Sequence, residues 1–300
     1  MTSDDTQILR LAAFAAQPGG GNPAGVVLEA GRLDDAQMQR IAAEVDYAET
    51  AFVTGRDAEG IDIRYFSPVA EVPFCGHATV ATAVALAQTG ETALARGETA
   101  ELSFRTPVGP VVIRATRDAD GVTAAFTSVD PSVSELSAPV LQRLLAELGL
   151  TRDDLDPRMP PAVSFAGNRH PIIALRDRDV FDAFRFDPAR VRALMDEQEW
   201  RGTITVVHVA PGDDPVRALE ARNLFPVGRI TEDPATGSAA ASVGAYLRAR
   251  GLVVPPASVS IHQGAHVGRP SLLSVEIPAT GGIVVSGRAV PITDRAGRAS

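Results

Sequence analysis

The chain contains no lysine, so arginine supplies all 28 of its basic Lys and Arg side chains. A protein without lysine cannot form a Schiff base with pyridoxal phosphate or a carbonyl substrate, and it lacks the lysine of a phosphate-binding loop. The formal net charge is −9, and no basic cluster is present. An acidic chain of this kind is expected to bind neither a nucleic acid nor an anionic membrane.

Cysteine is nearly absent as well, since Cys75 is the single one. One thiol excludes an intramolecular disulfide and a multi-cysteine zinc site, and it is typical of a reducing compartment. The apolar run near the start is broken by Arg10, which is unlike a signal peptide. No apolar run approaches the roughly 18 residues of a membrane span. These features predict a soluble, cytoplasmic protein.

Sequence signals for a metal or a nucleotide cofactor are also missing. Residues 19–21 (GGG) resemble a phosphate loop, but a strand is predicted directly after them, where a dinucleotide site requires a helix. His262 and His266 have metal-ligand spacing only on a helix, which Gly264 and Pro270 disfavour. We expect no cofactor and no metal.

What the chain does contain is a repeat. Residues 21–28 (GNPAGVVL) recur as 167–174 (GNRHPIIA), and residues 75–77 (CGH) recur as 236–238 (TGS). A shorter motif, Phe66-Ser67-Pro68-Val69, recurs as Leu224-Phe225-Pro226-Val227. The separation between matching residues grows steadily along the chain, as expected for two copies of one module that diverged by insertions. A two-lobed chain of this kind tends to bind its ligand between the lobes.

Apolar periodicity predicts an α+β fold with two pseudo-symmetric lobes. In each lobe the strands surround a helix that is almost wholly apolar, at 77–88 and 237–250, and such a helix has to be buried. An amphipathic helix is predicted at 34–45, and further helices at 138–148 and 188–199. Strands are predicted at 8–15, 24–30, 49–54, 61–67, 99–105, 109–116, 121–128, 162–166, 170–176, 203–210, 257–262, 271–277 and 282–290.

The lobe boundaries follow from composition. The polar, proline-containing stretch 128–136 is typical of a linker, so we predict lobes at 1–127 and 128–300. The sequence leaves open whether the terminal strand returns to the first lobe.

The starts of the two apolar helices are candidate anion sites. Each begins at a glycine turn, Gly76-His77 and Gly237-Ser238. Free N–H groups and the positive end of the dipole bind anions there, and glycine lets a ligand approach the backbone. Two such starts could hold a small carboxylate without a basic side chain. The alternative interpretation is a pair of ordinary glycine turns capped by His77 and Ser238.

Glu49 is the candidate acid or base. It stands at the head of an apolar strand, where a carboxylate can be partly buried and serve in proton transfer. A solvated glutamate at a connection is the alternative. Asp233 before Pro234 is common in turns for local reasons, and His77 can simply cap or pack.

These segments resemble a known family. Residues 21–27, 49–52, 66–79 and 232–240 are similar to the signature segments of the phenazine-biosynthesis PhzF-like isomerases, and the match runs in order from about residue 8 to about 290. The resemblance implies a fold similar to diaminopimelate epimerase, in which each lobe is a β-barrel around a central helix. It also implies a cofactor-free isomerase that forms homodimers.

The resemblance also implies roles for single residues. Glu49 matches the general acid/base, and His77 and Asp233 match residues that orient the substrate and help move the proton. The positions that match substrate-binding residues, most of them at the helix starts, are Gly76, Gly237, Ser238, Asn22, Cys75 and Thr236.

The leading hypothesis is therefore a cofactor-independent isomerase of a small carboxylate, such as a dihydro-hydroxyanthranilate. One alternative keeps the fold as a non-catalytic binding protein for small carboxylates. Another is a Cys75-dependent racemase, which is disfavoured because Thr236 occupies the second cysteine position and a hydroxyl is too weak an acid. The loops at 19–21 and 211–223 are candidates for setting substrate selectivity, although their residues carry no readable code.

Overall fold

The computed structural model describes residues 6–89, 93–212, 215–226 and 230–293, which form two compact units. Within the described residues, the first unit runs to Phe126 and takes in the chain from Ser286 to residue 293, while the second runs from Thr127 to Val285. Both units combine strands with helices, which confirms the predicted α+β class. Val227 of the repeated motif and residues 213–214 of the predicted selectivity segment lie outside the described residues.

Eight strands of the first unit close into a barrel. They are β1 (Leu9–Ala13), β2 (Asn22–Val27), β3 (Glu49–Asp57), β4 (Gly60–Phe66), β6 (Thr99–Thr106), β7 (Gly109–Asp118), β8 (Gly121–Thr127) and β17 (Val284–Pro291). A ninth, short strand, β5 (Glu71–Val72), pairs with the end of β4. Pairing runs in the order β1, β2, β3, β4, β6, β7, β8, β17 and back to β1. The terminal strand β17 thus lies against β1. Closure leaves the barrel without a free edge among these eight strands.

The helix inside this barrel is α2 (Gly76–Gln88). Every residue from His77 to Ala87 is buried, and the helix packs against β1, β2, β3 and β7. Its alanine-rich sequence keeps it slim enough to fit among the strands, and the hydroxyl of Thr82 donates to the carbonyl of Ala78 at 2.8 Å. The buried helix predicted at 77–88 is confirmed.

The amphipathic helix α1 (Asp35–Val45) connects β2 to β3. Asp34 and Gln37 form a capping box at its start, with hydrogen bonds of 2.8 and 2.9 Å. Its buried side chains are the four apolar residues at helical spacing, Met38, Ile41, Ala42 and Val45. This crossover allows β2 and β3 to run parallel, with Ala24 opposite Glu49.

The second unit repeats the arrangement with larger connections. Its strands are β9 (Ser132–Glu135), β10 (Ala162–Phe165), β11 (Arg169–Leu175), β12 (Ile204–His208), β13 (Ala218–Leu224), the short β14 (Glu232–Asp233), β15 (Ala257–Gln263) and β16 (Ser271–Ile277). They pair in the order β9, β10, β11, β12, β13, β15, β16, and β11–β12 and β13–β15 are parallel. Its helices are α3 (Ala138–Glu147), α4 (Arg178–Ala183), α5 (Pro188–Glu197) and α6 (Gly237–Ala249).

The buried helix of this unit is α6, which packs against β9, β10, β11 and β16. Gly244 in its middle faces the sheet so closely that a Cβ would lie 2.8 Å from Val275 Cγ1. On the other side of the sheet, side chains of α3 and α5 pack into one apolar cluster, which includes Leu144 of α3, Leu194 of α5 and Trp200. The second predicted buried helix is thereby confirmed as well.

Two segments predicted as irregular contain strands. Ser132–Glu135, inside the predicted linker 128–136, forms β9 and pairs with β10. Ala218–Leu224, in the predicted loop 211–223, forms β13 and lies between β12 and β15. The charged residues of β13 are not typical of a strand inside a sheet. Arg222 is buried there because it pairs with Glu232 and donates to the carbonyls of Phe181 and Phe184.

None of the helices in the described ranges combines the length and the apolar character that crossing a bilayer requires.

Candidate active site

Four side chains of the first unit meet at the start of α2: Asn22, Glu49, Cys75 and His77, here called the first cluster. Asn22 opens β2 and Glu49 opens β3, and because these strands are parallel neighbours their starts lie at the same edge of the barrel. Cys75 is the N-cap residue of α2, and His77 is its second residue. The strand edge and the helix start thus bring together residues that are up to 55 positions apart.

The distances within the first cluster are short. Glu49 Oε2 lies 3.5 Å from His77 Nε2 and 3.4 Å from Cys75 Sγ, which donates to it. The other imidazole nitrogen, His77 Nδ1, lies 3.2 Å from Asn22 Nδ2 and 3.3 Å from the same sulfur. Because an amide nitrogen can only donate, the bond from Asn22 places the proton of neutral His77 on Nε2, facing the carboxylate.

The first cluster is mostly withdrawn from water. The side chain of His77 is 10% exposed and that of Glu49 is 23% exposed, while Asn22 and Cys75 are buried. The carboxylate thus keeps one accessible side for a ligand. Cys75 does not cap α2 through its side chain, and the N–H groups of the first helical turn have no acceptor within the helix. This end of the dipole favours negative charge at the cluster.

A buried hydroxyl chain holds the backbone of Cys75 in place. The Thr79 hydroxyl donates to the carbonyl of Cys75 at 2.7 Å, so the Tyr65 hydroxyl has to donate to Thr79, 2.6 Å away. Burial raises the pKa of Tyr65, which keeps this donor protonated at every physiological pH. The helix start is therefore rigid where the cluster needs it.

Three members of the first cluster are of metal-ligating types. One carboxylate oxygen of Glu49, the sulfur of Cys75 and one nitrogen of His77 lie within 4.8 Å of one another. Zinc takes these three kinds of ligand. The cluster is therefore the group of described residues that could hold a cation, although their sequence spacing did not reveal it.

The second unit has its own cluster at the start of α6, formed by His170, Asp233, Thr236, Ser238 and Gln263 and here called the second cluster. The Thr236 hydroxyl donates to Asp233 Oδ2 at 2.5 Å. Gln263 Nε2 donates to the carbonyl of Asp233 at 2.6 Å and to the hydroxyl of Thr236 at 3.1 Å. Asp233 is thus held in the turn that leads into the helix.

Ser238 and His170 complete this second cluster. Ser238 is the second residue of α6, directly after Gly237, and its Oγ lies 3.1 Å from Nε2 of the buried His170. Thr236 is the N-cap residue but does not cap the helix through its side chain. The ordinary-turn alternative named His77 and Ser238 as caps, and that is wrong, because each side chain is directed to a partner in its own cluster.

Every predicted site residue thus lies at or beside the start of one of the two buried helices. Asn22, Glu49, Cys75, Gly76 and His77 lie at the start of α2, and Asp233, Thr236, Gly237 and Ser238 lie at the start of α6. Sequence reasoning missed His170 and Gln263. His170 stands in the repeated motif at the position of Ala24, and this departure from the first copy was the available signal.

Comparison with known proteins gives the class first. The chain is 37% identical over 286 residues to an isomerase of Deinococcus radiodurans, covering 93% of this chain and 89% of that protein. It is 33% identical over 265 residues to the trans-2,3-dihydro-3-hydroxyanthranilate isomerase of Pseudomonas fluorescens, covering 87% and 86% of the two chains. The protein is an isomerase.

The family follows from two further findings. The model of the phenazine biosynthesis-like protein family matches residues 11–295. A crystal structure of a PhzF-family phenazine biosynthesis protein from Bacillus anthracis superposes with a TM-score of 0.82 at 26% identity, covering 96% of this chain and 97% of that one. The chain belongs to the phenazine biosynthesis-like, or PhzF, family, which confirms the resemblance found in its sequence.

Proposed function

We propose that this isomerase moves a proton within a small carboxylate substrate, without a cofactor, and that Glu49 is its general acid and base. The observation that carries the proposal is the first cluster, in which a partly exposed carboxylate lies 3.5 Å from an almost buried imidazole. A carboxylate and an imidazole at such a distance can pass a proton between substrate and enzyme.

In the proposed mechanism, Glu49 takes a proton from one substrate carbon, and the electron pair left behind spreads into a conjugated or carbonyl system. Glu49 then returns the proton to a second carbon, so that no atom or electron is gained or lost. Nε2 of His77 faces the carboxylate at 3.5 Å, an orientation that the contact of Asn22 with Nδ1 favours. Glu49 loses its charge when it takes the proton and regains it when it returns the proton, and the Nε2–H of His77 stabilises the charged form.

The binding roles are part of the same proposal. In the first unit, Gly76 offers a backbone N–H to the substrate at the start of α2. In the second unit, the backbone N–H of Gly237 and the hydroxyl of Ser238 bind a carboxylate at the start of α6, and Asp233 orients polar substituents. Support comes from the second cluster, where Asp233 and Ser238 are each held by hydrogen bonds to neighbours. Trans-2,3-dihydro-3-hydroxyanthranilate, the substrate of the Pseudomonas relative, is the compound to test first.

The decisive experiment compares the wild type with Glu49→Gln in deuterated water. We expect the wild type to isomerise the compound and the variant to lose at least about 100-fold in kcat. Glu59→Gln, at an exposed hairpin position, is the matched control and should keep full activity. Undiminished turnover by Glu49→Gln would remove Glu49 from the mechanism.

The same experiment tests the binding-protein alternative. A protein that only binds carboxylates would be stabilised thermally by the compound but would never exchange a substrate proton with solvent deuterium. Deuterium at a substrate carbon, with the wild type alone, supports the isomerase.

A homodimer that acts in the cytoplasm completes the proposal, on the strength of the family resemblance and the single thiol. Sedimentation of the purified protein measures its mass, and fractionation of the source cells measures its location.

A further inference from the structure

His170 is a buried imidazole that the mechanism above does not use. It is the second residue of β11 and has no exposed surface. One ring nitrogen, Nε2, lies 3.1 Å from Ser238 Oγ, and the other, Nδ1, lies against Thr203. A buried imidazole with partners on both nitrogens is held in a single orientation, so its protonation decides what Ser238 can do.

Gly202 lets the backbone lie directly against the His170 ring. A Cβ on Gly202 would lie 2.6 Å from His170 Cε1 and 2.9 Å from Nδ1, distances that real Cβ atoms do not show. Glycine at this position is therefore required for the imidazole to pack against the backbone. The next residue, Thr203, then lies with its N–H 3.1 Å from Nδ1.

The hydrogen bonds of Thr203 indicate the tautomer. Its carbonyl oxygen and its hydroxyl also lie near Nδ1, at 3.1 and 3.0 Å. The hydroxyl donates its own proton to Asn223 Oδ1 at 2.9 Å, so the donor available to Nδ1 is the Thr203 N–H. A buried backbone N–H is seldom left without an acceptor, whereas a buried carbonyl oxygen is more often found without a donor. Nδ1 is therefore the acceptor for the Thr203 N–H, and the ring proton is on Nε2. Burial lowers the pKa of His170 to about 4, so the ring is neutral at pH 7.

We propose that His170 is a positioning residue that makes the Ser238 hydroxyl a hydrogen-bond donor to the substrate. Its Nε2–H donates to Ser238 Oγ, which leaves the hydroxyl proton of Ser238 directed away from the ring and toward an acceptor oxygen. Together with the N–H groups of the first turn of α6, the Ser238 hydroxyl then offers donors at the helix start, which suits a carboxylate. This inference rests on the proposed role of Ser238 in carboxylate binding.

Comparison of the two copies of the repeat supports the assignment. In the first unit the strand position that matches His170 is Ala24, which lies opposite Glu49 at the start of β3. The register of β11 and β12, which places Ile172 opposite Thr205, continues back to His170 opposite Thr203. The first copy thus carries its imidazole, His77, on the helix beside Glu49. The second copy carries its imidazole, His170, on the strand beside Thr203. Nε2 of the imidazole therefore faces the hydroxyl of Ser238 in the second copy, where Nε2 of His77 faces the carboxylate of Glu49 in the first.

The first test is nitrogen NMR of the imidazoles in the full chain, with His170→Gln used to assign the signal. We expect a neutral ring protonated on Nε2 from about pH 5 to pH 8. A ring protonated on Nδ1 would overturn the proposal, because Ser238 would then donate its proton to Nε2 and have none left for a substrate.

The second test separates the role of His170 from that of Ser238 through steady-state kinetics with the dihydro-hydroxyanthranilate. His170→Leu removes the donor, and we expect KM to rise about tenfold with a smaller change in kcat. His170→Gln keeps an N–H donor and should recover part of the loss. In a Ser238→Ala background, His170→Leu should add nothing further, because the hydroxyl that it orients is gone.

The outcomes distinguish this inference from the proposed function. If Ser238→Ala raises KM but His170→Leu in the wild-type background does not, the positioning role is wrong and the binding role of Ser238 stands. If Ser238→Ala leaves KM unchanged, both are wrong. If both raise KM additively, His170 acts by a route other than Ser238, and the positioning role is again wrong. Circular dichroism of each variant identifies any that fails to fold, and His170→Gln then carries the comparison.

Discussion

The carboxylate of Glu49 and the imidazole of His77 face each other across 3.5 Å, from Oε2 to Nε2, while Asn22 contacts the far nitrogen of the ring at 3.2 Å. The three residues come from the starts of β3, α2 and β2. We expect catalysis to be most sensitive to substitution in this row of three contacting groups, the Asn22 amide, the His77 imidazole and the Glu49 carboxylate.

Replacing Asn22 by alanine tests that line. Without the amide donor at Nδ1, the ring of His77 is free to turn or to change its tautomer, and the proton facing Glu49 is lost. We expect kcat to fall by roughly 10- to 100-fold with little loss of stability. Asn168→Ala is the matched control, since Asn168 is the equivalent residue of the second repeat and is exposed. Equal activity of the two variants would contradict the role of Asn22.

Replacing Cys75 by alanine separates one-base isomerisation from thiol racemisation. The thiol donates to Glu49 at 3.4 Å but has no counterpart at Thr236, whose hydroxyl is bonded to Asp233. We therefore expect Cys75→Ala to keep activity within about tenfold of the wild type, because a weak S–H donor is all that is lost. A loss as large as that of Glu49→Gln would favour the racemase instead, and turnover assays on both variants decide the matter.

The stability of the protein is expected to fall as the pH drops from about 6.5 to about 4. Burial lowers the pKa of His170 to about 4 in the folded state, while an unfolded histidine takes up a proton near pH 6.5. In this range the unfolded chain therefore binds more protons, so the free energy of unfolding decreases with falling pH, by up to about 3 kcal/mol from this residue.

Urea unfolding at several pH values measures this effect. His170→Gln should flatten the dependence in that window, whereas replacement of the exposed His262 by glutamine should leave it as it is. An unchanged slope in His170→Gln would mean that other groups cause the loss of stability.

The buried ion pair next to the second cluster is expected to matter far more than a surface pair. Arg222 Nη2 lies 2.5 Å from Glu232 Oε1, with side chains only 4% and 9% exposed, and the guanidinium lies 3.7 Å from the centre of the Phe184 ring. Glu232→Ala leaves this cation buried without its partner, so we expect a loss of about 3–5 kcal/mol in the free energy of unfolding.

The matched control is Glu220→Ala on the same strand as Arg222. Glu220 pairs with the half-exposed Arg178, and such a pair contributes at most about 1 kcal/mol. Chemical denaturation compares the two. Similar losses in both variants would show that burial of Arg222 is not what makes its partner necessary.

Zinc is expected to inhibit the enzyme by binding at the first cluster. The sulfur of Cys75, the carboxylate of Glu49 and the imidazole of His77 lie close enough to share one ion, and the ion would occupy the carboxylate that the mechanism needs. Titration with zinc alone, followed by calorimetry and activity, measures this. Cys75→Ala should weaken binding at least about tenfold, and equal zinc affinity in the variant would place the ion elsewhere.

The sequence identified the architecture where a pattern repeats over many residues. The almost wholly apolar stretches at 77–88 and 237–250 could only be buried helices, and both are. The amphipathic helix predicted at 34–45 was equally readable, and α1 spans Asp35–Val45. Such elements are predictable because burial and helix periodicity act on neighbours in the chain.

Local patterns failed where a partner distant in the chain changes the meaning of a residue. The stretch 218–224 contains Glu220 and Arg222 and was assigned to a loop, yet it forms β13 in the middle of the sheet. Arg222 can be buried because it pairs with Glu232 and donates to the carbonyls of Phe181 and Phe184, which lie on other elements. Ser132–Glu135 was missed for a related reason, since its polar residues join the sheet through the backbone.

By itself, the sequence determined the family, the two buried helices and the residue types at their starts, because these are carried by short motifs and apolar runs. Only the tertiary structure decided which of those residues touch: Glu49 with His77, Asp233 with Thr236, and Ser238 with His170. Their contacts join residues from different strands and helices, and such proximity depends on how the sheet curls around each helix. The role of His170 could be inferred only from the tertiary structure. Folding brings Gly202 and Thr203 against Nδ1 of the ring and Ser238 against Nε2, and these contacts determine which nitrogen carries the proton.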